Sequence, residues 1–120
     1  MTAATKPATP HPATDLSFMR LRQPLGSGID YWNVDFTGSL DEEWQHGRTL
    51  AYEYLRYIGE HHNNANMTLL GLIVNDMLTK CAPSGRLGGV ELGFLNFVNI
   101  FAATAAMKVK LPGPEDDNAD

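Results

Sequence analysis

The chain has 120 residues, 43% of them apolar, with nine basic and fourteen acidic residues for a net charge of −5. This length fits one domain and leaves no room for two ordinary ones, and this apolar content supports a hydrophobic core, which argues against a wholly disordered chain. The negative charge argues against a nucleic-acid-binding protein that works by neutralising phosphates.

Both ends of the chain have compositions that predict no folded structure. Residues 1–14 contain three prolines and no large apolar side chain after the first methionine, and residues 112–120 hold four acids and no base. Such segments cannot bury enough surface to offset the entropy lost on ordering. We therefore expect a disordered N-terminal arm at 1–14, one globular domain at 15–111 and an acidic C-terminal tail at 112–120.

The first part of the domain has the pattern of a β-hairpin. Apolar and charged residues alternate over 18–22 and again over 29–36, where Trp32 and Phe36 fall on one face. A proline and two glycines between the two runs are typical of a turn. Two strands alone are marginal in water, so the Trp32 face is expected to pack on another part of the fold.

A helix follows the hairpin. Ser39 and Glu42 have the spacing of a capping box, in which each residue's side chain bonds to the other's backbone amide. Apolar residues then recur at steps of three and four as far as Ile58. The pattern predicts a helix over about 40–61.

Two further helices are predicted, over 67–80 and from Gly89 to about Met107. The second of these is apolar around most of its circumference, which is typical either of a central buried helix or of half of a dimer interface. A homodimer through this helix is therefore expected as one alternative. Polar residues interrupt its apolar run, so no membrane span is expected. The predicted fold is α+β and mostly helical, with an N-terminal β-hairpin packed on about three α-helices.

Three glycines lie inside the predicted helices, at Gly47, Gly71 and Gly93. Glycine in a helix interior costs about 1 kcal/mol relative to alanine. We expect each of these positions to allow a helix or strand to approach closely.

Aromatic residues are concentrated between positions 31 and 57. Exposed tyrosine, tryptophan and arginine side chains are typical anchors of protein interfaces, whereas buried ones would seal the hairpin against the first helix. Both interpretations stay open at this stage. The first hypothesis is a non-enzymatic protein-interaction module, an accessory, regulatory or inhibitory protein that binds a larger protein. Its expected interaction residues are Tyr31, Trp32, Tyr52, Arg56 and Tyr57.

The glycine-rich loop 84–89 supports an alternative. Glycines before a helix can expose backbone amides to an anion, and an arginine could pair with that anion, although the complete phosphate-loop motif is missing. The alternative is a small-ligand or anion-binding protein with weak catalytic activity. Its expected ligand-binding residues are Gly85, Arg86, Gly88 and Gly89.

No set of nucleophile, base and acid can be assigned from spacing, and no metal or cofactor motif is present in the sequence. The sequence therefore leaves open whether the protein is an enzyme, and it favours a protein without enzymatic activity. A lone Cys81 cannot form an internal disulfide, and the N-terminal segment lacks an apolar signal region. The expected compartment is the cytoplasm.

Overall fold

A computed structural model describes residues 15–24, 26–61 and 67–111. The arm and the tail predicted from the sequence lie outside these described residues. The domain is α+β and mostly helical, with a two-stranded antiparallel hairpin followed by three helices, as the sequence predicts. Its elements are β1 (Arg20–Leu21), β2 (Ile29–Asp30), α1 (Leu40–Glu60), α2 (Leu69–Cys81) and α3 (Gly89–Lys108).

The hairpin is much shorter than the sequence predicts. Strands were expected over 18–22 and 29–36, but β1 and β2 pair over only two residues each. Beyond Asp30 the Trp32 amide donates to the Asp30 carboxylate at 3.2 Å, and the Asn33 amide, one residue further on, donates to the Phe18 carbonyl at 2.7 Å. The antiparallel register is therefore lost after Asp30, and the chain continues in irregular structure up to the start of α1. The Tyr31 amide, on the side away from β1, donates to a carboxylate oxygen of Asp76 in α2 at 2.8 Å.

The capping box at the start of α1 is confirmed. The Glu42 amide donates to Ser39 Oγ at 3.1 Å, and the Ser39 amide donates to Glu42 Oε1 at 2.8 Å. All three helices lie within about two residues of their predicted bounds. The local start signal and the apolar periodicity are therefore sufficient to place them.

Two of the three helical glycines bring α1 and α3 into backbone contact. Gly47 lies directly against the backbone of Val90, and Gly93 lies directly against the backbone of Trp44. A side chain at either position would overlap a neighbouring carbonyl oxygen. The expectation for Gly71 is wrong, because this residue is exposed and an added Cβ there would meet no atom within 4 Å.

The α1 and α3 helices run in the same direction. Near their starts, Leu40 lies against Gly89. Further along both helices, the guanidinium of Arg48 lies over the ring of Phe97, 5.2 Å from its centroid. The N-terminal ends of the two helices consequently lie at the same end of the pair.

The hairpin segment joins the helices through an aromatic core. Trp32 is only 1% exposed, and its ring centroid lies 5.3 Å from that of Phe18 and 5.1 Å from that of Phe94. The ring centroid of Tyr54, in α1, lies 5.7 Å from that of Phe94. The indole nitrogen of Trp32 donates to Glu91 at 2.7 Å. The Trp32 side chain thus packs on the helices, as expected from the sequence pattern.

A second connection ties α2 to β2. The Lys80 ammonium lies 3.0 Å from an Asp30 carboxylate oxygen and also donates to the Trp32 carbonyl at 2.7 Å. Burial by itself raises the pKa of Asp30. The hydrogen bond and charge of Lys80, with the Trp32 amide and the Asn33 side chain, outweigh burial and hold that pKa below its ordinary value.

This ion pair predicts a pH-dependent loss of stability. A carboxyl whose pKa is lowered by folding stabilises the protein above its unfolded pKa, and the contribution disappears as the pH falls through the folded pKa. We expect Asp30→Asn to be less stable than the wild type at neutral pH. The difference should shrink below the ordinary aspartate pKa of about 3.9. Urea unfolding of both proteins at a series of pH values measures the difference in stability at neutral pH and its decrease at low pH.

The exposed Asp35 provides the matched control for that experiment. Asp35→Asn also removes one carboxylate, but from the surface, and is expected to change stability by less than about 0.5 kcal/mol. An Asp30→Asn variant as stable as the wild type at neutral pH would contradict a stabilising role for the ion pair.

Candidate functional site

The C-terminal half of α3 projects away from the rest of the fold. All the buried residues of this helix come from its first six positions. Residues 98–108, which we call the distal α3 segment, leave Ile100 47%, Phe101 55% and Met107 85% exposed. The expectation of a central buried helix therefore holds only for the start of α3. The other alternative, a dimer interface, stays a prediction.

Length and composition would also allow α3 to cross a membrane, with 17% of its most apolar window buried. One such helix is weak support for a membrane span, since helices of soluble proteins meet the same criteria. Its first turns are fixed to the domain: Glu91 accepts bonds from Trp32 and from the Gly88 amide, and Gly93 contacts α1. Transfer of the whole helix into a bilayer would break these contacts.

Tyr52 of α1 lies beside Phe97 of α3. It is 59% exposed, and with Arg48 and Phe97 it lines a cavity of about 330 Å³ between the two helices. Phe101 follows Phe97 by one helical turn, so the two rings share a side of α3. Tyr52, Phe97 and Phe101 form one aromatic strip, which we call the Tyr52–Phe101 strip.

A neighbouring groove of about 350 Å³ brings together three of the residues that the sequence predicts for protein interaction, Tyr52, Arg56 and Tyr57. Arg56 is exposed, whereas Tyr57 is only 6% exposed and its ring stacks on His61. Among the described residues, the Tyr57 hydroxyl has no hydrogen-bond partner. Tyr57 therefore belongs mainly to the core, and Tyr52 and Arg56 are the accessible members.

The other two predicted interaction residues lie away from this groove. Trp32 is enclosed in the aromatic core. Tyr31 is half-buried beside Asp76 of α2. The structure thus divides the aromatic residues between the two interpretations: Trp32 and Tyr57 seal the fold, and Tyr52 faces solvent. Phe97 and Phe101 were not among the predicted site residues, because their apolar periodicity was assigned to core packing.

The glycine loop before α3 offers little to an external anion. Gly85 adopts a φ of 79°, which suits a glycine turn, and Arg86 is exposed. The Gly88 amide, however, donates to the Glu91 carboxylate at 3.0 Å, and Gly89 is buried. The chain's own carboxylate therefore occupies the position that a bound anion would take, and its charge would repel one.

Neither a metal site nor a similarity to known proteins indicates what this protein does. Within the part of the chain that the structure describes, no group of three or more His, Cys, Asp or Glu side chains is arranged to hold a metal ion. Comparisons with protein-family models, curated proteins and solved structures find no match to this chain. Function must therefore be argued from the surface just described.

Proposed function

We propose that the protein is a non-enzymatic protein-interaction module, an accessory or regulatory subunit that binds a larger protein through the Tyr52–Phe101 strip. The observation that carries this proposal is the exposure of Phe101 on the half of α3 that the rest of the described domain leaves largely uncovered. Tyr52, 59% exposed, extends the same surface onto α1. Large contiguous apolar surfaces on soluble domains commonly mark sites of protein association.

The composition of the strip suits a protein partner. Aromatic side chains supply much contact area with few rotatable bonds, and arginine and tyrosine are enriched among the residues that dominate binding energy. Arg48 and Arg56 flank the strip on α1 and would add polar contacts at its edge. Each large apolar side chain that a partner covers contributes about 1.5–3 kcal/mol.

A protein partner is favoured over a lipid surface. The net charge of −5 opposes binding to anionic membranes. If α3 spanned a bilayer, either the folded segment before it or the four acids of residues 115–120 after it would have to cross. We place the protein in the cytoplasm on the strength of its single, unpaired Cys81. The anion-binding hypothesis stays a prediction, which the Glu91 carboxylate at the loop makes less favourable.

Phe101→Glu is expected to weaken partner binding strongly without unfolding the domain. The side chain is 55% exposed, so the substitution places a charge on the strip while leaving the core intact. Tagged wild type and variant are compared by nuclease-treated affinity capture from the native lysate, with recovery of each partner quantified by mass spectrometry. Recovery of the true partner should fall at least about tenfold, equivalent to about 1.4 kcal/mol.

Leu78→Glu is the matched control. Leu78 is 56% exposed but lies on α2, so its substitution should leave capture unchanged. Thermal unfolding verifies that both variants fold. Equal capture by wild type and Phe101→Glu would overturn the proposal, and so would binding of the wild type to lipid vesicles with no protein captured.

A further inference from the structure

The chain enters the described fold beside the groove of about 350 Å³ on α1, which we call the α1 groove. Asp15 lines this groove. Leu16, the next residue, is only 3% exposed, and the amide and the hydroxyl of Ser17 both donate to Glu53 of α1 at 2.8 Å. These contacts fix the entering chain at the edge of the groove. Residues 1–14, the N-terminal arm, therefore connect to the fold at this edge.

The N-terminal arm has the composition of a polyproline II segment. Its residues 7–14 include three prolines, and proline presets the extended backbone of such a helix. A polyproline II helix rises about 3.1 Å per residue, so residues 10–14 would extend about 16 Å. Along α1, the rise from Tyr52 to His61 is about 14 Å. The last part of the arm is thus long enough to follow the whole groove.

The α1 groove has the aromatic lining that such segments bind. Tyr52, Tyr57 and His61 line it, and the Tyr52 side chain is 59% exposed. Proline-rich segments dock in aromatic-lined grooves because their backbone is preformed and loses little entropy on binding. A tethered segment also acts at an effective concentration on the order of millimolar, so a weak contact is enough to populate the docked state.

The charges of the α1 groove complement those of the arm. One arginine, Arg56, faces three carboxylates in the lining, for a net charge of −2 with His61 neutral. The carboxylates belong to Asp15, Glu53 and Glu60. Arg48 lies outside the groove over Phe97, and the sum would stay negative if it were counted. The arm carries Lys6 and no acid, so its charge favours docking.

The other terminal segment of the chain is a poor occupant of this groove. The tail at 112–120 holds four acids and no base, and the net negative groove would repel it. Lys108 and Lys110, just before the tail, do not balance its four acids. Of the two ends of the chain, the electrostatics select the N-terminal arm.

We infer that the N-terminal arm docks in the α1 groove of its own chain as an extended, proline-rich segment and covers Tyr52. Because Tyr52 also lines the cavity beside Phe97, the docked arm and the larger partner compete for one end of the Tyr52–Phe101 strip. The regulatory half of this inference rests on the proposed function. The docking of the arm does not depend on it.

Paramagnetic relaxation measures where the arm lies. A nitroxide is attached to Ala8→Cys of the full-length protein in a Cys81→Ser background, and the broadening of each amide signal is measured by NMR. The Tyr52 amide should broaden more strongly than the Asp35 amide. Asp35 lines a second cavity, which adjoins the entering chain at Ser17, so an undocked arm would broaden both regions equally.

Two results would overturn the docking. One is equal broadening at Tyr52 and Asp35, or strongest broadening elsewhere in the domain. The other comes from a mixture of nitroxide-labelled protein with isotope-enriched protein that carries no nitroxide. Broadening of the enriched protein in this mixture would assign the arm to the groove of a second copy.

Glu60→Lys tests the charge complementarity, and Asp35→Lys is its matched control. The first substitution reverses an exposed charge in the groove, and the second reverses an exposed charge outside it. Glu60→Lys should lower the equilibrium constant for docking by up to about fivefold, the range of exposed ion pairs. Broadening at Tyr52 should therefore decrease in Glu60→Lys and persist in Asp35→Lys. Equal broadening at Tyr52 in both variants would overturn the electrostatic selection of the arm.

Replacing the arm's prolines by glycine tests the competition with the partner. The variant combines Pro7→Gly, Pro10→Gly and Pro12→Gly, which remove the preset backbone and raise the entropy cost of docking. If the arm is docked in half to three quarters of the molecules, its release raises the apparent affinity for the partner about two- to fourfold. Affinity capture from the native lysate measures this rise, which should disappear when Phe101→Glu is added.

Failure of the docking and failure of the proposed function give different results. Stronger broadening at Tyr52 with equal capture by wild type and Phe101→Glu would support the docking and overturn the proposed function. Loss of capture by Phe101→Glu with equal broadening at Tyr52 and Asp35 would support the larger partner and overturn the docking. A glycine variant that loses the stronger broadening at Tyr52 but captures no more partner would overturn the competition.

Discussion

A Gly93→Ala variant is expected to lose at least about 3 kcal/mol of folding free energy, the upper end of typical overpacking costs. An added Cβ at this position would lie 2.9 Å from the Cα of Trp44 and closer still to its carbonyl oxygen. The obstacle is backbone, which no rotamer change can move aside. Relief would require α1 and α3 to separate along the closest part of their contact, which would open the aromatic core around Phe94.

Urea unfolding followed by circular dichroism measures this loss. Small domains are commonly stable by about 5–15 kcal/mol, so a loss of this size leaves the variant marginal. The same reasoning applies to Gly47, which faces the Val90 carbonyl from the opposite helix. Because both substitutions disrupt one crossing, their effects should not be additive.

Gly71→Ala is the control that separates packing from helix propensity. It lies inside α2 with open space around the Cβ position. Alanine should therefore stabilise the protein by about 0.5–1 kcal/mol, through its better helix propensity. If Gly93→Ala were as stable as Gly71→Ala, the close crossing of α1 and α3 would be contradicted.

The helices were predictable because their signals are local. The side chains of Ser39 and Glu42 each bond to a backbone amide three residues away, so the capping box can be recognised from the sequence alone. Apolar periodicity is likewise a local signal, because one face of a helix must be apolar whichever part of the fold covers it. The same reasoning explains why all three helix bounds were placed closely.

The length of the hairpin depends on hydrogen bonds that alternation does not encode. The Asp30 carboxylate accepts the Trp32 amide, and the Asn33 amide bonds to the Phe18 carbonyl in its place, so the ladder ends after Asp30. The alternation of apolar and polar residues within 29–36 would be the same with or without these bonds. Similarly, glycine has the same propensity at each of its helical positions, and only tertiary packing separates Gly47 from Gly71.

The candidate site was predictable only in part, for the same reason. Tyr52 and Tyr57 differ by five positions on one helix, yet one is 59% and the other 6% exposed. Periodicity indicates that they lie on different sides of α1, but it does not show which of these sides the rest of the fold covers. The exposure of Phe101 depends on where α1 and α3 separate, which no local pattern encodes.

Trp32→Ala is expected to cost about 3–5 kcal/mol, the usual cost of truncating a buried aromatic side chain. The Trp32 ring is 1% exposed and touches both Phe18 and Phe94, so its removal leaves a cavity between the hairpin segment and α3. It also leaves the Glu91 carboxylate without its indole donor. Thermal unfolding and loss of near-ultraviolet circular dichroism measure the effect.

Tyr52→Ala is the matched comparison for Trp32→Ala, because the structure places Trp32 in the core and Tyr52 at the surface. Its side chain is largely in solvent, so its removal should change stability by less than about 0.5 kcal/mol. Capture of the partner, however, should weaken, because tyrosine side chains at the centre of an interface often contribute 2 kcal/mol or more. If Trp32→Ala instead kept its stability and lost only binding, Trp32 would be an interaction residue and its place in the core would be contradicted.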